Sequence, residues 1–295
     1  MKVLITGGSG VIGWDLSKAF LHDGYKVFCT FLSNRHFVNG CIPYELDVSN
    51  KEATINLIKK IKPDLVVHTS AVTDIDLCET NHELSYRINV HGTKNIVYAC
   101  KKVDSKLIFI STSAVFDSSK KIFVEDDKTN ALNYYGLTKL LGENAVTSSG
   151  IDFIILRTDQ PYCWVQEWHK KNTVIRVLEK LNVNTIVKEI VDWYNNPTFV
   201  DNFSEATLEL VRMGKNGIYH LVGSDYVSRY EWALKIAEFF NKEKNLIQPM
   251  NSEELTLPAR RANVNLSNQK VQKETSIKMF SIEEGLNSML EQSAS

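Results

Sequence analysis

Residues 1–21, MKVLITGGSGVIGWDLSKAFL, decide the fold of this 295-residue chain. Residues 2–6 form a short apolar run rich in β-branched side chains, which is typical of a buried strand. Glycines follow at positions 7, 8, 10 and 13, and residues 14–21 then show the apolar spacing of a helix. The stretch therefore predicts a strand, a glycine turn and a helix, in that order.

The spacing of these glycines predicts a turn that binds a dinucleotide. Gly8, Gly10 and Gly13 match the GxGxxG fingerprint, and starting the count at Gly7 gives the wider spacing of a related group of reductases. In both patterns one glycine makes the turn, one lets the backbone approach a pyrophosphate, and one lets the helix pack on the sheet. A P-loop is excluded, because a Trp-Asp pair follows the last glycine where Lys and Ser/Thr are required.

Strand and helix patterns alternate through the first half of the chain. The pattern predicts strands at 26–31, 64–68, 106–110 and 153–156, with helices at 51–61, 79–103 and around 134–143. Beyond residue 156 the alternation degrades, with helices expected at 170–181, 227–242 and 281–290 and a strand at 217–221. We therefore predict an α/β fold with a Rossmann-type doubly wound parallel sheet, residues 1–157 rejoined by about 196–214. Residues 158–295 are expected to form mainly a smaller, interleaved α/β substrate-binding lobe.

Composition limits the kinds of partner. With a formal net charge of -1, the chain offers no electrostatic basis for binding nucleic acid or a membrane surface. Its five scattered cysteines lack CxxC spacing, which indicates reduced thiols in the cytoplasm, and a strand starting near residue 3 leaves no room for a secretory signal. Seven histidines without HExxH spacing or cysteine pairing predict no metal site.

Tyr135 and Lys139 are four residues apart, so a helix places both on one face. A neighbouring ammonium favours the phenolate and is expected to lower the Tyr135 pKa, making the phenol a proton donor at neutral pH. Tyr134 is turned about 100° from the lysine face. The spacing alone is common by chance, and its weight comes from the glycine turn and from hydroxyl residues 111–113 after a predicted strand.

Several distinct motifs follow one another along the chain. They are the glycine turn, 68–79, 89–90, 110–117, 134–143, 156–158, 196–201 and 281–286. On these residues the chain resembles the extended short-chain dehydrogenase/reductases, in particular the dTDP-4-dehydrorhamnose reductase family. The resemblance covers nearly the whole chain and implies an NADPH-dependent reductase of a nucleotide-linked 4-keto-6-deoxy sugar, converting dTDP-4-dehydrorhamnose to dTDP-rhamnose.

The resemblance also implies roles for single residues. Tyr135 would be the general acid that protonates the ketone oxygen, Lys139 would hold the ribose and lower the Tyr135 pKa, and Thr112 would position the carbonyl. Ser111 and Ser113 compete with Thr112 for that role. The implied cofactor-binding residues are Gly7, Ser9, Gly10, Val11, Ile12, Gly13, Ser33, Asn34, Arg35, Asp47, Val48, Thr69, Ser70, Ala71 and Lys139. The implied substrate-binding residues are Thr73, Ser113, Asp159, Gln160 and Arg260, with the arginine facing the nucleotide-sugar pyrophosphate.

The loop after the second predicted strand favours NADP(H). NAD enzymes of this fold place an acid there for the ribose 2′-hydroxyl, whereas an arginine accommodates a 2′-phosphate. Residues 31–35 contain no acid and offer Arg35 with two small polar neighbours, although use of NAD(H) as well stays open. Asp47 resembles the adenine-side residue of the family, with a helix cap as the alternative.

Two departures leave the function open. Ser113-Ala114 stands where the family has Asp-Tyr, and Asp159-Gln160 stands where it has Ser-Trp, both on the sugar side. The substrate could therefore be a different dTDP- or UDP-linked keto sugar. The other alternative is a non-catalytic, NADP-binding regulatory subunit like the beta subunit of methionine adenosyltransferase. A homodimer is a further expectation.

Overall fold

Seven parallel strands form the central sheet of this computed structural model, which describes residues 1–294. The elements of the first half are β1 (Lys2–Thr6), α1 (Val11–His22), β2 (Lys26–Phe31), β3 (Ile42–Glu45), α2 (Lys51–Ile61), β4 (Leu65–His68), α3 (Ile75–Thr80), α4 (His82–Ser85), a π-helix (Tyr86–Gly92), α5 (Thr93–Val103), β5 (Lys106–Thr112), a 3₁₀ turn (Ser113–Val115), α6 (Tyr134–Thr147) and β6 (Phe153–Thr158). Those that follow are β7 (Pro161–Tyr162), α7 (Thr173–Asn182), β8 (Val187–Ile190), β9 (Tyr194–Asn195), β10 (Thr198–Phe199), α8 (Val200–Arg212), β11 (Gly217–His220), β12 (Val227–Ser228), α9 (Arg229–Phe239), β13 (Ile247–Met250), α10 (Gln269–Thr275) and α11 (Ile282–Ala294), with 3₁₀ turns at Lys244–Leu246 and Ser252–Glu254.

The order of the strands creates a crevice at one point of the sheet. The order is β11-β6-β5-β4-β1-β2-β3, and every neighbouring pair is parallel. From β1 the chain moves outward through β2 and β3, then returns to the other side of β1 with β4. In such sheets, ligands bind beyond the carboxyl ends of the strands where this reversal occurs. Here that point is the gap between the loops after β1 and β4.

Apolar side chains cover both faces of the sheet. One core packs the strands against α1 and α8, with Leu16, Phe20 and Phe203 fully buried. The opposite core includes Ile58 and Ile96 from α2 and α5. A third core, centred on α7, α9 and α11, belongs to the lobe, where three two-stranded sheets pair β7 with β10, β8 with β13 and β9 with β12. The predicted Rossmann-type α/β fold is confirmed.

The structure differs from the sequence-based predictions at three places. The helix expected at 79–103 is divided, because Asn81 leaves the helical conformation and its side chain caps a new helix by accepting from Leu84 N. β3 was not predicted from the sequence, because it is a half-exposed edge strand containing Pro43 and lacks the apolar pattern of a buried strand. β11 pairs with β6, so the segment that rejoins the sheet extends beyond the predicted residue 214.

A buried ion pair joins α6 to β6. Arg157 donates from Nη2 to Glu143 Oε2 at 2.7 Å and from Nε to Oε1 at 3.0 Å, and Ser111 Oγ donates to the same Oε1 at 2.5 Å. Arg157 Nη1 also donates to the Glu125 carbonyl at 3.1 Å and lies 3.3 Å from His220 Nε2. Both partners of the pair are under 5% exposed, so every lone pair and proton must find a partner within the protein.

We expect Glu143→Gln to lower the free energy of unfolding by about 3–5 kcal/mol, because it leaves the Arg157 guanidinium buried without its counter-charge. Chemical denaturation measures the loss. Glu238 and Lys244 form a matched control, since they also lie 2.7 Å apart but are more than half exposed. Glu238→Gln should leave the denaturation midpoint unchanged, and equal losses in the two variants would contradict this account.

Candidate active site

Close packing of backbone explains the glycines in the turn after β1. Gly7 has φ of 69°, and a Cβ added there would lie 2.9 Å from Thr69 Oγ1. A Cβ added at Gly13 would lie 2.3 Å from the Gly7 carbonyl oxygen, so only glycine lets the helix approach the turn. Gly10 N donates to that carbonyl at 3.0 Å, and Thr69 Oγ1 donates to the Thr6 carbonyl at 2.6 Å. The loops after β1 and β4 therefore form one rigid unit.

The N-terminus of α1 opens directly from this turn. Gly10 is the N-cap residue and has no side chain to cover the first N–H groups, and the first helical turn contains no acid. Val11 packs toward the lobe and Ile12 toward the sheet, while Ser9 is half-buried at the turn. Uncovered N–H groups at the positive end of a helix suit the negative charge of a pyrophosphate. The glycines of the turn also leave space beside the backbone that the Cβ of any other residue would fill.

The other predicted cofactor residues border the same edge. Ser33 and Arg35 are exposed after β2, and the Arg35 guanidinium lies 5.7 Å from the centre of the Phe31 ring. Ser70 and Ala71 are half-buried after β4, next to the turn. These loops lie on the two sides of β1, where the order of strands reverses.

Asp47 does not cap α2, so that alternative is wrong. Its Oδ1 accepts from Ser49 N at 2.8 Å and from Ser49 Oγ at 2.7 Å, which holds the loop after β3. The cap is Asn50, whose side chain accepts from Ala53 N. Val48 is buried beneath this loop.

The start of α6 lies unusually close to the end of β5. A Cβ added at Gly136 would lie 2.1 Å from the Ala114 carbonyl oxygen, so only glycine permits the contact. Asn133 caps the helix by accepting from Gly136 N at 2.8 Å. Further along, a Cβ at Gly142 would lie 2.7 Å from the Phe109 ring. The face of α6 that carries Tyr135 is thereby held against the strand that carries Thr112.

Each of the three hydroxyl side chains at the end of β5 faces a different group. Thr112 lies close enough to the Tyr135 phenol to lower its pKa, and its Oγ1 accepts from Ala114 N at 3.2 Å. Ser111 donates to Glu143, and Ser113 lies close enough to the Asp159 carboxyl to lower its pKa. The sequence left the choice among these hydroxyls open, and Thr112 is the one that the structure brings to the Tyr135 phenol.

Burial controls the ionisation of Tyr135 and Lys139. Desolvation raises the pKa of Tyr135 to about 12, although the nearby Thr112 hydroxyl acts in the opposite direction. Desolvation lowers the pKa of Lys139 to about 7, against the attraction of Glu143, and its Nζ lies 4.1 Å from the centre of the Phe109 ring. The expectation that Lys139 brings the Tyr135 pKa below its usual value is therefore wrong for this structure. At neutral pH the phenol is protonated and the amine is close to its midpoint.

Two nearby residues were missed as part of the site. Asn89 lies in the π-helix, and its Nδ2 is 3.0 Å from both the Val72 carbonyl and Thr138 Oγ1. It thus ties the loop after β4 to α6. Cys78 is fully buried and close enough to influence the Lys139 charge. Both residues lie in motifs on which the family resemblance rests, 89–90 and 68–79, but their contacts with α6 arise from long-range packing.

The substrate side contains a buried carboxyl group. Asp159 follows β6, accepts from Asn196 N at 3.0 Å, and lies near the Ser113 hydroxyl. Burial raises its pKa to about 6. Gln160 has φ of 40°, a conformation that costs energy outside glycine, and its Oε1 accepts from Arg229 Nη1 at 2.7 Å. No sequence pattern indicated Arg229, which reaches this loop from α9.

The remaining predicted substrate residues lie at the rim. Thr73 is exposed at the end of the loop after β4. Arg260 has an exposed side chain, while its carbonyl accepts from Asn133 Nδ2 at 2.9 Å, beside the start of α6. Arg261 instead pairs with Asp76 at 2.8 Å. Of the two adjacent arginines, Arg260 is thus the one whose guanidinium faces solvent.

Residues 1–294 contain no group of three or more His, Cys, Asp or Glu side chains arranged to hold a metal ion. Within the same residues, every helix is too short or too polar to cross a bilayer.

Comparison with known proteins gives the family. The model of the family described as RmlD substrate binding domain matches residues 1–295. The chain belongs to this family. The resemblance seen in the sequence is thus confirmed, and the RmlD match includes both the glycine turn and the Tyr135 helix.

The relatives of this RmlD-family chain include proteins of two different functions. The dTDP-4-dehydrorhamnose reductase of Escherichia coli K12 is 28% identical over 302 residues, covering 98% of this chain and 97% of the relative. The methionine adenosyltransferase 2 subunit beta of Xenopus tropicalis is 27% identical over 279 residues, covering 92% and 82%. A crystal structure of the Bacillus anthracis dTDP-4-dehydrorhamnose reductase in complex with NADP has a TM-score of 0.88 at 25% identity, covering 99% of both chains.

Burial of Lys139 predicts a pH-dependent stability. With a folded pKa of about 7 and an unfolded value near 10.5, the unfolded chain binds the extra proton between those values, so stability rises with pH across that window. Lys139→Met removes this dependence and should be more stable than wild type at pH 6, by a margin that shrinks toward pH 10.

Urea denaturation at pH 6, 8 and 10 measures that margin. Lys94→Met, at an exposed position on α5, controls for the loss of a positive charge. A margin that stays constant over this pH range would contradict the burial of an ionisable amine at position 139.

Proposed function

We propose that this chain is an NADPH-dependent reductase of a nucleotide-linked 4-keto-6-deoxy sugar, and that it converts dTDP-4-dehydrorhamnose to dTDP-rhamnose. The observation that carries the proposal is the proximity of the Thr112 hydroxyl to the Tyr135 phenol at the carboxyl edge of the sheet, with Lys139 one helical turn from Tyr135. The E. coli and B. anthracis relatives named as dTDP-4-dehydrorhamnose reductases support it.

The proposed cofactor site runs along the edge from α1 to α6. The turn at residues 7–13 would hold the pyrophosphate, residues 33–35 the adenosine ribose, and residues 69–71 the middle of the dinucleotide. When bound, NADPH supplies the hydride that the carbonyl carbon accepts. The glycine cradle and the open helix N-terminus support this placement.

Side chains of the protein would supply the proton that the ketone oxygen accepts. Negative charge develops on the ketone oxygen as the carbonyl is reduced, and a donor aimed at that oxygen stabilises the transition state more than the ground state. A pKa of about 12 keeps Tyr135 protonated and ready to donate. Thr112 would orient the carbonyl through its hydroxyl. The Lys139 ammonium, when charged, would stabilise the phenolate that remains after donation.

The proposed cofactor preference is for NADP(H), with NAD(H) also accommodated. Arg35 is exposed after β2 and no acidic side chain occupies residues 31–35. An exposed guanidinium suits a 2′-phosphate, and no carboxylate is present there to repel it.

The sugar would lie between the sheet edge and the lobe. We assign Ser113, Asp159 and Gln160 to the sugar side and Arg260 to the nucleotide pyrophosphate, with Thr73 at the rim. The contact of Asp159 with Ser113 next to Thr112 supports this assignment. Because Asp159 and Gln160 replace Ser-Trp of the family pattern, a different dTDP- or UDP-linked keto sugar is the nearest alternative substrate.

A second candidate is a regulatory subunit that keeps the cofactor site and modulates another enzyme. The similarity to the methionine adenosyltransferase 2 subunit beta of Xenopus tropicalis favours it. Purified protein with NADPH and a panel of dTDP- and UDP-4-keto sugars separates the two. Oxidation of NADPH supports the reductase, and cofactor binding without turnover of any sugar supports the regulator.

A cytoplasmic location is part of the proposal, supported by five free, buried cysteines at positions 29, 41, 78, 100 and 163. The homodimer stays a prediction.

Replacing Tyr135 by Phe tests the proposed acid. General acid catalysis contributes about 10²–10⁴-fold, so kcat should fall within that range while cofactor affinity stays within twofold or so. Tyr134→Phe is the matched control. The Tyr134 ring stacks on the His82 ring, with centroids 3.7 Å apart, and turns away from Lys139. Unchanged turnover in Tyr135→Phe would overturn the mechanism.

Replacing Arg35 by Ala tests the cofactor preference. We expect the KM for NADPH to rise about tenfold or more while that for NADH changes little, because only NADPH has the 2′-phosphate. Steady-state kinetics with both cofactors measures the difference. Unaltered use of NADPH by the variant would remove Arg35 from the site.

A further inference from the structure

A loop of the lobe crosses to the glycine turn. It connects β7 to α7 and comprises residues 163–172, which we call the strap. The ring of Trp168 stacks on that of His36, with centroids 3.8 Å apart and planes within 6°. Trp168 also contacts Trp14, the residue after Gly13, with ring centroids 5.3 Å apart. The strap therefore spans the loop after β2 and the start of α1.

His169 completes the cluster next to the turn. It is 9% exposed, its ring centroid lies 5.8 Å from that of Trp14, and it faces the backbone of Ser9. Its Nδ1 accepts a hydrogen bond from Gln166 N at 3.2 Å. Since Nδ1 is an acceptor, the neutral ring carries its proton on Nε2.

Three ring N–H groups in this cluster lack an acceptor. Trp14 Nε1, Trp168 Nε1 and His169 Nε2 are all buried with no hydrogen-bond partner among residues 1–294. A buried donor without a partner loses its hydrogen bonds to water and gains none in return, and native proteins contain only a few such groups per 100 residues. Three of them on rings that touch one another indicate that the acceptor comes from outside the chain.

The surroundings define what that acceptor is. Lys18, which pairs with Asp15 at 3.5 Å, is near enough to influence His169 electrostatically, and His169 lies beside the backbone of Ser9 in the turn assigned to the pyrophosphate. His36, on which Trp168 stacks, directly follows Arg35, the residue assigned to the 2′-phosphate. N–H donors beside a cation and a helix N-terminus suit an anion with several acceptor oxygens and no protons to donate.

We propose that Trp14, Trp168 and His169 form a phosphate-binding cluster that donates three side-chain N–H groups to a phosphate of the bound dinucleotide. This inference rests on the proposed dinucleotide binding and adds residues from the lobe to the backbone turn. The phosphate is either the pyrophosphate held at residues 7–13 or the 2′-phosphate near residues 33–35, because the strap reaches both.

Titration calorimetry with NADP⁺ and NAD⁺ tests the proposal without turnover. Trp168→Phe keeps an aromatic ring for the stack on His36 but removes one N–H, and we expect about 10- to 100-fold weaker binding. Trp164→Phe is the matched control in the same strap, because its Nε1 already donates to the Met289 carbonyl at 2.7 Å. It should bind both dinucleotides as wild type does.

A second pair of variants separates hydrogen bonding from packing. His169→Leu removes the donor and should weaken binding, whereas His169→Gln retains an N–H and should restore part of the affinity. The thermal midpoint of ligand-free Trp168→Phe should stay at or above that of wild type, because the substitution removes an unpaired buried donor.

Each outcome has one meaning. Equal losses for NADP⁺ and NAD⁺ place the cluster on the pyrophosphate, and a loss confined to NADP⁺ places it on the 2′-phosphate. Wild-type affinity in Trp168→Phe and His169→Leu, with wild type itself binding, overturns the inference and leaves the proposed function standing. Failure of wild type to bind either dinucleotide overturns both.

Discussion

The contact between the start of α6 and the end of β5 is the constraint on which the candidate active site depends. Gly136 lies against the Ala114 carbonyl, where no other residue fits. Glu143, two turns further along, is fixed by Arg157 from β6. A helix held at both points cannot rotate or slide, and Tyr135 is therefore directed at Thr112. Burial of the ion pair and orientation of the phenol are consequences of one packing arrangement.

Holding the helix so tightly has an electrostatic cost. Lys139 lies on the buried face between the two fixed points, and the protein around it cannot solvate an ammonium as water does. The same desolvation keeps the Tyr135 phenol protonated. Asp159, in the loop after β6, is also hard to ionise. Three titratable groups at one edge of the sheet are thus biased toward their neutral forms, which is an arrangement common at functional sites and unfavourable elsewhere.

Local patterns made much of the structure predictable. The turn at residues 7–13 could be predicted because its glycines are required by backbone contacts within a few residues. The pairing of Tyr135 with Lys139 could be predicted because the geometry of a helix sets their relative positions. Contacts between segments that are distant in the chain produce no local pattern in the sequence. Arg229 reaches Gln160 from α9, and the strap reaches Trp14, only because the lobe folds back on the sheet. The direction of the Tyr135 pKa was mispredicted for the same reason, since the depth of burial is a property of the whole fold.

The π-helix between α4 and α5 bears on how the length of this chain can vary. A π-turn holds about one residue more than an α-turn, so it is equivalent to a single inserted residue within a helix. Deleting one residue between positions 86 and 92 would restore regular α-helix and swing Asn89 by about 100°, away from Val72 and Thr138. Loops on the surface tolerate insertions and deletions, but this helix has a fixed residue count, set by the bridge that Asn89 makes between the loop after β4 and α6.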